Sequence, residues 1–89
     1  MAWQIEMTGT ASKQLGKLDK GEAKRITGFL RQRLAAMDDP RSLGKVLKGP
    51  LLGEYWRYRV GNFRVICDIQ DNRVCVLVIE IGNRGKVYR

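Results

Sequence analysis

Trp3-Gln4-Ile5-Glu6-Met7 alternates apolar and polar positions, which predicts a half-buried first strand. Ala11, Leu15 and Leu18 then recur at helical spacing. They predict a short helix after Thr8 or Thr10, against the weak helix propensity of Gly9 and Gly16. Asp19-Lys20-Gly21-Glu22 has the spacing of a capping box. Behind it, Ala23, Ile26, Phe29, Leu30, Leu34 and Met37 form an apolar stripe with a helical period, while Lys24, Arg25, Arg31 and Arg33 take the other face. This second helix is expected to stop before Asp39-Pro40, because a residue preceding proline is pushed out of the helical region. The two helices together read as a helical hairpin.

The second half reads differently. Arg41 to Gly53 is a connecting segment containing Pro50 and three glycines. Strands follow at about Tyr55–Val60, Phe63–Gln70 and Arg73–Ile81. Gly61-Asn62 gives a two-residue hairpin signal and Asp71-Asn72 a weaker turn signal. The expected fold is α+β: an N-terminal strand, the helical hairpin, then a three-stranded antiparallel meander, all forming one sheet with helices on one face.

A two-residue turn at Gly61-Asn62 fixes a register. Val60 then opposes Phe63, Arg59 opposes Arg64, Tyr58 opposes Val65 and Arg57 opposes Ile66. Trp56, Tyr58, Val60, Phe63, Val65 and Cys67 share one apolar face, where the three aromatics read as core. Arg57, Arg59 and Arg64 share the other. Like charges directly opposite in a ladder repel. A local rule broken without visible compensation points to a functional site, here one for anions. The alternative reading is that both side chains splay into solvent. Lys45 and Lys48 lie in the connecting segment. The terminal Gly82-Asn83-Arg84-Gly85-Lys86-Val87-Tyr88-Arg89 is polar and basic.

Composition narrows the chemistry. The 89 residues correspond to one domain, 1–89, with a modest core and no deep cofactor pocket expected. There is no His and there are two Cys, so the usual zinc ligand sets, Ser-His-Asp catalysis and Cys-His catalysis are unavailable. Two cysteines make no disulfide framework, and Cys67 and Cys75 read as reduced core residues on opposite faces of the sheet. The start Met1-Ala2-Trp3-Gln4-Ile5-Glu6 has no signal-peptide pattern, and the longest apolar run, Val74 to Ile79, has six residues. A soluble cytoplasmic protein without a membrane partner is expected. The formal charge is +8, with +2 in residues 1–40 and +6 in residues 41–89. Such a field suits a polyanionic partner such as nucleic acid, or otherwise a solvated basic surface.

Together these features resemble the RelE/ParE superfamily of type II toxins, and its RelE-like branch most. The resemblance spans nearly the whole chain and rests on the order of several motifs. These are the opening strand, Leu47-Lys48-Gly49, the run Tyr55-Trp56-Arg57-Tyr58-Arg59-Val60-Gly61-Asn62-Phe63-Arg64-Val65-Ile66, then Ile81-Gly82-Asn83-Arg84 and the closing Val87-Tyr88. RelE-like members are endoribonucleases that cut messenger RNA in the ribosomal A site. The resemblance implies attack by a ribose 2′-hydroxyl on the adjacent phosphate, without metal, cofactor or protein nucleophile.

Carried onto this chain, the family pattern places basic side chains at Arg57 and Arg59 and a phosphate-stabilising guanidinium at Arg64. It assigns Arg84 to the phosphate or leaving group and Tyr88 to stacking on or orienting the nucleotide. Lys45, Lys48 and Lys86 are expected RNA contacts. The implied partners are an antitoxin protein in a toxin–antitoxin hetero-oligomer, and the ribosome with its mRNA. Some relatives have Lys where Arg57 and Arg59 stand, and another branch uses Glu and a C-terminal His. An arginine does not give up its proton in a protein. The general base is therefore open between Lys48, Lys86 and Tyr88, with ribosomal RNA able to assist. Two other readings stay open: a ParE-like toxin that inhibits DNA gyrase, and an RNA-binding module without catalysis.

Overall fold

The computed structural model describes residues 2–47 and 55–83. The chain starts with strand β1, Gln4–Met7, and passes at once into helix α1, Gly9–Gly16. Thr8 makes this sharp junction. Its Oγ1 accepts from the Ala11 amide at 3.1 Å as the helix N-cap, and donates to the Ile79 carbonyl at 3.0 Å. Asp19 caps helix α2, Lys20–Gly28, by accepting from the Glu22 amide at 2.9 Å, as its capping-box spacing predicts.

The second helix does not run unchanged to Asp39-Pro40. After Gly28 it widens into a π-helical turn over Phe29–Leu34, where the Ala35 amide donates to Leu30 O at 2.9 Å. The apolar stripe survives, with Ile26, Leu30 and Leu34 all buried. A 3₁₀ turn, Pro40–Leu43, leads to a short strand that the sequence pattern does not announce, β2, Lys45–Leu47.

The remaining strands are β3, Tyr55–Val60, β4, Phe63–Gln70, and β5, Cys75–Asn83. The sheet order is β1-β5-β4-β3-β2, with β1 parallel to β5 and the other pairs antiparallel. The register across Gly61-Asn62 is the expected one: Arg57 opposes Ile66, Tyr58 opposes Val65, Arg59 opposes Arg64 and Val60 opposes Phe63. Gly61 holds a positive φ of 60°, which a glycine adopts without strain.

The last strand starts two residues later than the pattern suggests. Asp71–Arg73 form a 3₁₀ turn and Val74 sits at φ 49°, so Gln70 pairs with Cys75. The connection thus gains two residues, which preserves the period-two parity. Cys67 and Cys75 fall on opposite faces as expected, both buried and both free. Further along, Ile66 opposes Glu80 while Cys67 opposes Val78, leaving Ile79 as a bulge. The extra residue shifts the alternation so that both Val78 and Ile81 turn inward.

One core lies between the helices and the sheet. It joins Ala11, Ile26, Leu30 and Leu34 to Tyr58, Val60, Phe63, Val65, Cys67, Val76, Val78 and Ile81, with Trp56 packed against it. Helix α1 also closes the β5 edge beyond β1, because Gln14 Oε1 accepts from the Ile81 amide at 2.7 Å. No helix among the described residues is long and apolar enough to cross a membrane.

Candidate functional site: a cationic cleft at the edge of β3

The pairing of β2 with β3 stops at Lys45 opposite Arg57. Gly44 lies just before it, against the face of Tyr58, and a Cβ there would stand 2.8 Å from Tyr58 Cε1. Beyond that point Arg59 and Val60 have no strand partner on the outer side among the described residues. The site forms at this uncovered edge.

Two rows of the sheet carry the charge. Lys45 stands beside Arg57, and Arg59 beside Arg64. Next to Arg64 the register places Gly82, which has no side chain to crowd it. Arg59 and Lys45 are exposed, and Arg57 and Arg64 are half-buried. Around these residues lies a cleft of about 320 Å³, lined also by Phe29, Arg33, Leu43 and Tyr58. Arg33, Lys45, Arg57, Arg59 and Arg64 thus surround one space that no carboxylate lines among the described residues.

The aromatic walls are fixed from behind. The Tyr58 hydroxyl donates to Pro40 O at 2.8 Å, and its ring meets Phe29 at 5.8 Å between centroids. Burial raises the Tyr58 pKa well above the usual tyrosine value, with the nearby Cys67 adding to the effect. Tyr58 therefore gives the cleft shape and is not a base within it. The Arg33 guanidinium lies 5.8 Å over the Phe29 ring. At the outer end, Arg41 forks onto Asp71, with Nη1 to Oδ1 at 3.1 Å, and lies 6.0 Å from the Trp56 ring. Asp71 holds the Arg41 guanidinium even more firmly charged, and Arg41 lowers the Asp71 pKa.

The structure thus brings Arg57, Arg59, Arg64 and Lys45 together. Lys48, Arg84, Lys86 and Tyr88 lie outside the described residues, which end at Asn83 opposite Phe63. Four lining residues were not candidates from the sequence: Phe29, Arg33, Leu43 and Tyr58, the last read as core. Phe29 reads as core and Arg33 as solvated helix face, and only their four-residue spacing hints at a shared surface.

Comparison with known proteins assigns this small α+β domain with its cationic edge cleft to a toxin family. The profile of the "ParE toxin of type II toxin-antitoxin system, parDE" matches residues 5–88. The chain is 31% identical over 87 residues to "Toxin RelE" of Mycobacterium tuberculosis, covering 98% of this chain and 87% of that protein. It is 27% identical over 89 residues to "Toxin RelG" of the same organism, covering 100% and 99%. The toxin–antitoxin complex RelBE2 from M. tuberculosis contains a chain with the same fold, at a TM-score of 0.83 and 24% identity over 97% of this chain and 95% of that one. The isolated Escherichia coli RelE toxin shares it too, at a TM-score of 0.72 and 21% identity over 98% and 92%. The chain belongs to the RelE/ParE family of type II toxins.

Proposed function

We propose that this toxin is a ribosome-dependent mRNA endoribonuclease that cuts within the A-site codon. The observation that carries the reading is the cleft itself: five cationic side chains around one space, with Arg59 facing Arg64 and no lining carboxylate among the described residues. That arrangement suits a phosphate whose charge increases in the transition state, because guanidinium forks bind phosphate oxygens in pairs.

In the proposed reaction the ribose 2′-oxygen bonds to the adjacent phosphorus and the bond to the 5′-oxygen breaks. The 2′-hydroxyl proton leaves to a base, and the 5′-oxygen gains a proton. The products are a 2′,3′-cyclic phosphate and a 5′-hydroxyl end. Arg57, Arg59 and Arg64 hold and neutralise the phosphate. Family likeness adds Arg84 at the phosphate or leaving group, Tyr88 at the nucleotide, and Lys45, Lys48 and Lys86 along the RNA. Without histidine in the chain, the base comes from Lys48, Lys86, Tyr88 or ribosomal RNA. An antitoxin protein is the proposed physiological partner, as in the RelBE2 and archaeal RelE–RelB complexes of the same fold.

The ParE profile favours a second reading, in which the toxin binds and inhibits DNA gyrase and the cleft is only a docking surface. Primer extension on a defined mRNA in a translating extract separates the two, with ribosome-free RNA as control. Ribosome-dependent cuts within one codon support the nuclease. Growth arrest with intact transcripts and DNA damage signalling supports the gyrase reading.

A further inference from the structure

Over the edge of β3, on the helix side, lies a second recess of about 440 Å³. Lys24, Arg25, Gln32 and Arg33 come from α2 and its π-turn, and Gly61 and Val60 come from the hairpin. It shares Phe29, Arg33 and Arg59 with the first cleft. Among the described residues neither space is lined by an Asp or Glu. The turn glycine matters here: a Cβ on Gly61 would lie 3.0 Å from Arg25 Nη1, so the bare backbone leaves room for that guanidinium against the hairpin.

We propose that this recess is a second phosphate-binding station. It would hold the backbone of a single RNA strand immediately beyond the phosphate in the first cleft. The assignment rests on the nuclease reading for the identity of the strand, but on its own residues for the site. A strand with one phosphate among Arg57, Arg59 and Arg64 must carry its neighbouring phosphates out of that cleft. The recess offers a route lined by cations, with Arg59 and Arg33 serving both spaces. An acidic protein segment fits less well. Protein interfaces draw affinity from a desolvated apolar centre, and the recess offers only Phe29 and Val60.

The test uses fluorescently labelled, fully 2′-O-methylated RNA, which lacks the attacking hydroxyl, as a trinucleotide and as a dodecanucleotide. Binding to wild type and to the Lys24→Gln/Arg25→Gln variant is followed by anisotropy at stepwise increasing KCl. Both positions are exposed and glutamine keeps the helix propensity, so equal melting temperatures verify the fold. For the dodecanucleotide, the variant should lose about 1.4 from the slope of log affinity against log salt, near 0.7 for each single-strand phosphate contact. The trinucleotide should bind both proteins alike. Equal slopes for the long RNA overturn the station, as does an equal loss for both RNAs. A polyglutamate peptide that binds as tightly as the long RNA, and weakens equally in the variant, assigns the recess to an acidic protein instead. Primer extension runs in parallel: no cuts by wild type together with the expected slope change sinks the nuclease reading and leaves the station standing.

Discussion

Arg59 and Arg64 stand directly opposite each other across the β3–β4 ladder, where β3 has no outer strand partner among the described residues. Opposed like charges destabilise a sheet pair, a cost that the proposed phosphate site would offset when occupied. Arg64→Ala should abolish growth arrest while the protein stays folded. Arg59→Glu should also abolish it, and should raise the melting temperature through a cross-strand gain of about 0.2–1 kcal/mol. Continued growth arrest by Arg64→Ala would remove the phosphate-binding role. A lower melting point for Arg59→Glu would show that the pair is not repulsive.

Phe63 sits across from Val60 on the inward face, at 9% exposure. Phe63→Ala should destabilise the domain by about 3–5 kcal/mol, the usual cost of emptying a buried phenyl site. Chemical denaturation reads this directly, and an unchanged midpoint would contradict the assignment of faces.

Val74 holds a left-handed conformation at φ 49° and ψ 52°, pinned where its carbonyl accepts from the Gln4 amide at 2.9 Å and its amide donates to Asp71 O. A β-branched residue is strained there, whereas asparagine tolerates it. Val74→Asn should stabilise the protein by about 1 kcal/mol. A clear drop in melting temperature would show that packing of the valine side chain outweighs the backbone strain.

Burial raises the pKa of the Cys67 thiol, with Asp68 adding to it, and burial likewise raises that of the Tyr58 hydroxyl. Both groups stay neutral in the native state after they would ionise in the unfolded chain. Their contribution is therefore intact below the unfolded values, about 8.5 for Cys and 10 for Tyr, and is lost as pH climbs toward the folded ones. Melting temperature should fall steadily above about pH 8.5, and Cys67→Ala should flatten the first part of that fall. A melting temperature constant into strong alkali would contradict the burial of both groups.

Much of this fold is legible in residue patterns because single local rules decide it. Thr8 and Asp19 cap where their chemistry demands, and Gly61-Asn62 sets a register that places three arginines on one face. What stays hidden depends on tertiary contact. Lys45–Leu47 is too short to show a period and becomes a strand only by pairing with β3. The π-turn has no sequence signature, yet it brings Arg33 from an apparently solvated helix face over Phe29 and into the cleft. The Ile79 bulge is equally silent, since a continuous apolar run such as Val74 to Ile79 carries no alternation from which a missing step could be read.

The pairing of β1 with β5 carries a consequence for biosynthesis. Gln4 and Cys75 are neighbours in the sheet, and among the described residues β1 has no other strand partner. During synthesis β1 must wait for β5 before its ladder hydrogen bonds close. Contacts so distant in sequence form late, and translation proceeds at only about 5–20 residues per second. The sheet, and the arginine rows set upon it, can lock only once β5 has emerged. Until β5 is free to pair, the cationic cleft therefore rests on an unfinished sheet.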